Sequence, residues 1–201
     1  MPILDLPNDY YELPPGKLAN IATYLEMKEP PSRVLAPFAA DLALIPVGDM
    51  STSDYRAHFK AVGQNLLWFS RLLMSDEKLQ SVLANPAIDS CVFKRGDQML
   101  GLLELNFEDM ANCELAFFGL LPEAVGNGLG RMLMDEAIRR AFAKPIGRIW
   151  LHTCTLDHSA ALPFYLRSGF TPYARLVEIH DDPRLQGKLP LDAAPQVPVL
   201  T

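Results

Sequence analysis

The spacing of apolar residues predicts helices in the first half of the chain. Residues 51–74 begin with Ser and Thr, which cap helices, and then place apolar side chains three or four positions apart. Gly63 lies inside this stretch, and we expect it to break or bend the helix. Residues 75–85 predict a second helix, because Ser75 can cap its start and Pro86 stops it.

Apolar runs bounded by turn residues predict strands elsewhere. Residues 17–27 lie between pairs of prolines and predict an edge strand or one arm of a hairpin. Residues 41–48 predict a first core strand. Residues 90–105 hold two apolar runs around an Arg-Gly-Asp turn, which is typical of a hairpin. Residues 113–121 are apolar on both faces, so we expect a central strand there.

Helices and strands alternate in the last third of the chain. Residues 129–143 predict an amphipathic helix and residues 147–155 a strand. Residues 159–169 predict a short helix closed by Gly169, and residues 170–180 predict a final strand. This order predicts an α/β fold with a mixed sheet.

Composition narrows the class of protein. The 201 residues are enough for one domain with a real core, and the net charge of -6 argues against a nucleic-acid binder. The three cysteines contain no C-x-x-C pair, so we expect reduced thiols rather than disulfides or a metal site. The first residues do not resemble a signal peptide, and no stretch is long and apolar enough to span a membrane. We therefore expect a cytoplasmic protein.

Three glycines at alternate positions raise the question of phosphate binding. They lie in the stretch "PEAVGNGLGRML", residues 122–133, between a predicted strand and a predicted helix. The spacing is neither the G-x-G-x-x-G of dinucleotide-binding proteins nor a Walker loop, because no G-K-[ST] follows. Glycines allow close backbone approach, and the start of a helix favours an anion. An anion site and a simple tight turn both remain open on these residues alone.

Two longer segments resemble motifs of the GNAT superfamily of acyl-CoA-dependent N-acyltransferases. Residues 113–142 resemble its motif A, a strand followed by a glycine loop that opens a helix. Residues 157–170, "DHSAALPFYLRSGF", resemble its motif B. The chain is also similar to bacterial members with a Pro-rich N-terminal arm. The resemblance implies an α/β (α+β) fold with a mixed, mostly antiparallel sheet flanked by helices, and acetyl-CoA (coenzyme A) as cofactor.

The same resemblance implies which residues contact the cofactor. Val125 stands where the family has Gln or Arg, a position that contributes mainly its backbone N–H, and His158 stands where the family has Asn. The backbone N–H of Phe118 corresponds to the group that binds the thioester oxygen. The predicted contacts are Phe118, Leu120, Val125, Gly126, Asn127, Gly128, Leu129, Gly130, Arg131, His158 and Tyr165.

Acetyl transfer to an amine needs a base for the amine and an acid for the leaving thiolate. By resemblance, Glu114 is the candidate base; the alternative is a strand-end carboxylate in a salt bridge. Glu104 on the neighbouring strand is a second candidate, acting through water. Tyr165 is the candidate acid, or else a buried tyrosine with a structural partner. His152 fits a structural histidine better than a base, and Cys154 is not a credible nucleophile.

The family usually binds its acceptor against the segment between the first core strand and the second helix. Here Trp68 and Phe69 would supply an aromatic wall and Arg71 a cation. That combination would suit an acceptor with an apolar body and a carboxylate; the alternative is that the aromatic residues belong to the core.

These observations predict an N-acetyltransferase that acts on a primary amine of a small molecule or protein in a ternary complex. A GNAT-fold protein that binds acyl-CoA without catalysis stays as the alternative. We expect a Pro-rich arm or hairpin over residues 1–36, the acetyltransferase domain over residues 37–180, and a loosely packed tail over residues 181–201. Metal, membrane and nucleic-acid partners are not expected, and the final strand and the arm would permit a homodimer.

Overall fold

The structure is a computed structural model that describes residue 3 and residues 5–201, and residues 1, 2 and 4 of the predicted arm lie outside it. The strands of this described part are β1 (Lys17–Met27), β2 (Leu42–Pro46), β3 (Ile88–Arg95), β4 (Gln98–Asn106), β5 (Asn112–Leu120), β6 (Arg148–Cys154) and β7 (Thr171–Asp181). Its helices are α1 (Thr52–Gly63), α2 (Asp76–Leu83), α3 (Leu129–Phe142) and α4 (Ala161–Ser168).

All seven described strands form one sheet, in the order β2-β3-β4-β5-β6-β1-β7. Neighbouring strands pair antiparallel except β5 and β6, which run parallel. The predicted fold class, a mixed and mostly antiparallel sheet flanked by helices, is confirmed. β5 is the fourth strand of seven, so the prediction of a central strand there is also confirmed.

Local signals in the sequence place several element ends correctly. The Ser75 hydroxyl accepts the N–H of Lys78 and caps α2, and α1 ends at Gly63. The hairpin between β3 and β4 turns at Gly96, whose φ of +55° is left-handed. Gly169 closes α4 with a φ of +109°. Side-chain capping and positive φ are local requirements, which is why the sequence reveals them.

The prediction for residues 17–27 is wrong in one respect. They form a strand, but β1 lies inside the sheet between β6 and β7 and pairs with both, so it is not an edge strand. Its prolines lie outside the paired residues, so they do not interrupt the ladder. Leu25 and Met27 are buried in the core. Residues assigned to an arm therefore belong to the main sheet.

The prediction of a loosely packed tail is also wrong. After β7 the chain returns across the α1 face of the sheet, where Leu189 and Ala194 join the core that includes Tyr55 and Phe59. The other face carries α3 and α4 over a second core. No described helix is long and apolar enough to cross a membrane. The division of the chain after residues 36 and 180 stays a prediction.

Candidate active site

The candidate site begins where β5 and β6 separate. The two strands are paired only at their first three residues, and the last pair is Glu114 with Trp150. β5 continues to Leu120 without a described partner on its β6 side. The gap opens into a cavity of about 1060 Å³, whose wall includes residues of the glycine loop, α4, β1, β7 and the segment between α1 and α2.

The backbone of β5 directs N–H groups into this gap. Leu121 donates its N–H to the Leu100 carbonyl on β4 at 2.8 Å, and hydrogen-bonded pairs alternate along an antiparallel ladder. Phe118 and Leu120 occupy the intervening pairs, so their N–H groups point away from β4. Both residues lie in the cavity wall. They are therefore hydrogen-bond donors for a ligand that runs along β5.

The glycine loop, residues 125–130, supplies a second set of donors. Gly126 and Gly128 have φ values of +91° and +75°, a left-handed conformation that disfavours other residues. Nothing lies within 4 Å of where their Cβ atoms would sit, so the backbone is open to a ligand. The N–H groups of residues 126–130 have no acceptor within the described chain. Free N–H groups at the start of α3 fit the pyrophosphate of coenzyme A.

Of the other residues predicted to contact the cofactor, some lie in the cavity wall and some do not. Val125 lies in the cavity wall, but its N–H donates to the Pro122 carbonyl at 3.3 Å and is not free. Leu129 is buried in the core, and the side chain of Asn127 is exposed outside the wall. Arg131 lies in the wall, with its Nε held 3.1 Å from Asp135.

The start of α4 forms another part of the cavity wall, on the side predicted to bind the cofactor. His158 lies in the wall just before the helix, and its Nδ1 accepts the N–H of Ala160 at 3.1 Å. Tyr165 also lies in the wall, where its ring packs edge-on against Phe118 and Phe170. Burial, with the nearby charge of Asp157, raises the pKa of Tyr165 above its ordinary value. The phenol therefore keeps its proton at neutral pH and can act only as an acid.

Glu114 lies at the point where β5 leaves β6. Burial raises the pKa of the Glu114 carboxyl above its ordinary value; His152 opposes that shift, and Glu104 adds to it. Its carboxylate makes no described salt bridge, so the alternative of a paired strand-end carboxylate is not what the structure shows. A half-buried carboxylate with a raised pKa can accept a proton from an amine.

Glu104 does not belong to the cavity wall. Its side chain is 0% exposed, and it forms an ion pair with Arg71 and accepts a hydrogen bond from Tyr55 at 3.4 Å. Both partners hold it inside the core beneath α1, away from the described wall. The role of Glu104 as a proton relay stays a prediction, and its carboxylate is not exposed to the described cavity.

The three residues predicted to bind the acceptor all line the cavity. Trp68 packs against Phe117 with ring centroids 5.2 Å apart, and Phe69 packs against His180 at 4.6 Å. Arg71 reaches the wall, but its charge is neutralised by Glu104 within the protein. The aromatic wall exists, whereas Arg71 is not the free cation that was expected to bind an acceptor carboxylate.

The thiols do not offer a nucleophile. Burial raises the pKa of Cys91 and Cys113 to about 12 and that of Cys154 to about 11. Cys154 is the one cysteine of the described cavity wall, and at neutral pH it stays a protonated thiol. Within the described residues, no cluster of His, Cys, Asp and Glu could hold a metal ion.

The wall residues that the sequence analysis missed include Asn20 on β1, and Glu178 and His180 on β7. The Asn20 amide donates to the Glu178 carboxylate at 3.0 Å. Glu178 and His180 are two positions apart and share one face of β7, but their value as a signal depends on knowing that β1 lies beside β6 and β7. The sequence pattern alone did not place β1 there.

Comparison with known proteins identifies the family. Residues 56–170, more than half of the chain, match the sequence profile of the Acetyltransferase (GNAT) family. The chain belongs to the GNAT family. The splayed β5–β6 pair and the glycine loop are therefore the parts of a GNAT acetyltransferase domain, and the resemblance seen in motifs A and B is confirmed.

Individual relatives agree with this GNAT assignment. The mycothiol acetyltransferase of Beutenbergia cavernae is 34% identical over 91 residues, which is 45% of this chain and 30% of that protein. A GCN5-related N-acetyltransferase from Sphaerobacter thermophilus superposes with a TM-score of 0.58 at 15% identity, covering 84% of this chain and 52% of that one. One from Kribbella flavida gives 0.54 at 18% identity, covering 86% and 63%.

The chain spans less than two thirds of the length of each of these three proteins. The two solved structures, at such low identity, show that the fold is shared and no more.

Proposed function

We propose that the protein transfers an acetyl group from acetyl-CoA to a primary amine by direct attack, with both molecules bound. One observation carries the proposal: a single cavity joins the free N–H donors of the glycine loop to Glu114 and Tyr165. A cavity of about 1060 Å³ exceeds what a small amine needs and leaves room for a long cofactor beside it. The family to which the chain belongs supports the same chemistry.

In this proposal, backbone N–H groups bind acetyl-CoA and polarise its thioester. The N–H groups of residues 126–130, at the positive end of α3, hold the pyrophosphate. The N–H groups of Phe118 and Leu120 hydrogen-bond the pantetheine arm and the thioester oxygen, where negative charge develops during attack. Acetyl-CoA, when bound, supplies the activated acetyl group. Backbone N–H groups suit this role because they are already in place and need no reorganisation when charge develops on the thioester oxygen.

Glu114 and Tyr165 move the protons. Glu114 accepts a proton from the ammonium of the acceptor, directly or through one water, so that a neutral amine attacks. Tyr165 keeps its phenolic proton because burial raises its pKa, and it donates that proton to the departing thiolate; the second proton that the nitrogen loses as the amide forms restores the phenol. The protonated thiol of Cys154 gives no reason to invoke an acetylated enzyme.

The proposal is tested by incubating purified protein with acetyl-CoA and a panel of primary amines. Free thiol is followed with time, and the product is examined by mass spectrometry. We expect thiol release that depends on the amine, with an N-acetyl product, and full activity in the Cys154→Ser variant. Thiol release no faster than in buffer with every amine would refute catalysis and leave a protein that only binds acyl-CoA.

A further inference from the structure

We infer that the acceptor is an amine that carries a second cationic group, and that this second group binds between Glu178 and the side-chain oxygen of Asn20. The inference rests on the proposed function for the reacting amine. It adds a subsite that recognises the other end of the acceptor.

The first support is an unpaired acceptor atom in the cavity wall. Asn20 is only 2% exposed, and its Nδ2 donates to Glu178 Oε2 at 3.0 Å. That hydrogen bond fixes the direction of the amide, because a carboxylate can only accept. Asn20 Oδ1 is then left buried without a partner in the described chain. A buried acceptor without a donor is costly, so the site is built for a ligand that donates N–H.

The second support is the charge of this part of the wall. Glu178 is exposed into the cavity from β7, and Glu114 contributes a second carboxylate from β5. Arg71 is the cation on the α1 side of the described wall, and the buried Glu104 already neutralises it. Arg131 and Arg167 lie on α3 and α4, on the side predicted to bind the cofactor, so the carboxylates on the acceptor side attract a ligand with positive charge and repel a carboxylate.

The third support is position. Asn20 stands opposite Glu178 in the β1–β7 ladder, and the neighbouring pair on this face of β1 sets Ala22 against Cys154 of β6. The pair therefore lies on the same face of the sheet as Glu114 and on the far side of β6, but six residues along β1 from Glu26, which is level with Glu114. Phe69, which packs against His180 with the two rings tilted, supplies an apolar surface near this end of the wall. An acceptor that reacts within the gap would extend its second cationic group toward this pair, which lies beyond Cys154 at the open end of the gap.

The test compares three acceptors of matched length with saturating acetyl-CoA: cadaverine, pentylamine and δ-aminovalerate. We expect kcat/KM for cadaverine to exceed that for pentylamine by about tenfold or more, with δ-aminovalerate the poorest. In the Glu178→Gln variant the ratio of kcat/KM for cadaverine to that for pentylamine should fall to about one. Equal use of cadaverine and pentylamine, or a preference for δ-aminovalerate, would overturn the inference.

Asp181→Asn is the matched control. Asp181 also lies on β7 and also carries one negative charge, but it pairs with Lys17 outside the described cavity wall. This variant should keep the full preference for cadaverine. Loss of the preference in both variants would mean that net charge, and not the pair of Asn20 and Glu178, selects the acceptor, and would overturn the inference.

The subsite can be tested even if catalysis is absent. If no amine releases thiol, cadaverine and pentylamine are titrated by calorimetry into the protein saturated with coenzyme A. Tighter binding of cadaverine that is lost in Glu178→Gln would retain the subsite while the proposed function fails. Equal binding of the two amines, or no binding of either, would overturn the inference as well.

Discussion

Glu114 acquires its chemistry from its place at the split between β5 and β6. A carboxylate in an exposed strand would have an ordinary pKa and would be protonated only in acid. Burial in the wall raises the pKa of Glu114 toward the range in which a base works at neutral pH. Burial also raises the pKa of Tyr165, and there the effect is to keep the proton on the group that acts as the acid.

Replacing Glu114 by Gln should lower kcat by about 100-fold or more and leave the affinity for acetyl-CoA unchanged. The base must be deprotonated to act, so kcat/KM of the parent should fall as pH decreases through the raised pKa of Glu114. The variant should lose that limb of the pH profile. Steady-state rates between acid and neutral pH check this, with Glu29→Gln as an exposed control. An unaltered profile in Glu114→Gln would assign the base elsewhere.

Replacing Tyr165 by Phe separates the acid from a packing role. The ring keeps its edge-on contacts with Phe118 and Phe170, so we expect the free energy of unfolding to change by less than about 1 kcal/mol. Loss of the hydroxyl should lower kcat by about tenfold or more. Urea unfolding and thiol release measure the two effects. A variant with normal kcat would leave Tyr165 only a packing role.

At the scale of elements, the site depends on how closely α1 approaches β5. A Cβ at Gly119 would lie 2.5 Å from Val62 Cγ1 and 2.9 Å from Trp68 Cη2. Gly119 therefore lets the aromatic residues of the acceptor wall rest on the strand that carries the backbone donors. The requirement is steric, since this glycine does not have a positive φ.

The Gly119→Ala variant should be less stable by about 1–3 kcal/mol, because the new methyl group overlaps Val62 and Trp68. Urea unfolding at neutral pH measures the loss. The matched control is Gly130→Ala in α3, where the nearest side-chain atom lies 3.7 Å away and a helix favours Ala. Equal stability of the two variants would contradict the close packing of α1 on β5.

The same scale shows what the sequence could and could not predict. The glycine loop, Glu114 and Tyr165 lie within contiguous motifs, so a linear pattern is enough to find them. Asn20 and Glu178 are 158 positions apart and meet only because β1 enters the sheet beside β7. Strand order depends on long-range pairing, which the alternation of apolar residues does not encode. Arg71 and Glu104 were both singled out from the sequence, but their ion pair was not predicted, because that contact is also long-range.

At the scale of the whole molecule, a buried ion pair ties the last segment to the sheet. Asp182 and Arg184 are each about 1% exposed in their side chains, and Arg184 also donates to the carbonyls of Ala193 and Val197. Gln196 then donates to the carbonyl of Asn65, at the edge of the acceptor segment. The tail thus supports the α1 face of the cavity.

Replacing Arg184 by Ala should lower the free energy of unfolding by about 3–5 kcal/mol, because Asp182 becomes an unpaired buried charge. Burial raises the pKa of Asp182, but the hydrogen bonds from Arg184 outweigh that effect and hold the pKa below its ordinary value. That stabilisation is present above the unfolded pKa and is lost as pH falls through the folded one.

The difference in the free energy of unfolding between the parent and the Arg184→Ala variant should therefore shrink as pH falls below about 4. Urea titrations at neutral and acid pH measure it. The double variant Asp182→Asn/Arg184→Leu removes both charges and should recover part of the loss. A single variant as stable as the parent would show that the pair does not hold the tail.

The most direct test of the central claim is calorimetric titration of acetyl-CoA into the parent and into Gly128→Glu. Gly96→Glu is the matched control, because Gly96 also has a positive φ and open space around it but lies in the hairpin between β3 and β4. We expect acetyl-CoA to bind to the parent and to Gly96→Glu but not to Gly128→Glu. The new carboxylate at residue 128 would occupy the phosphate site and repel the phosphates. Equal binding to all three proteins, or none to the parent, would contradict the assignment of the glycine loop to coenzyme A.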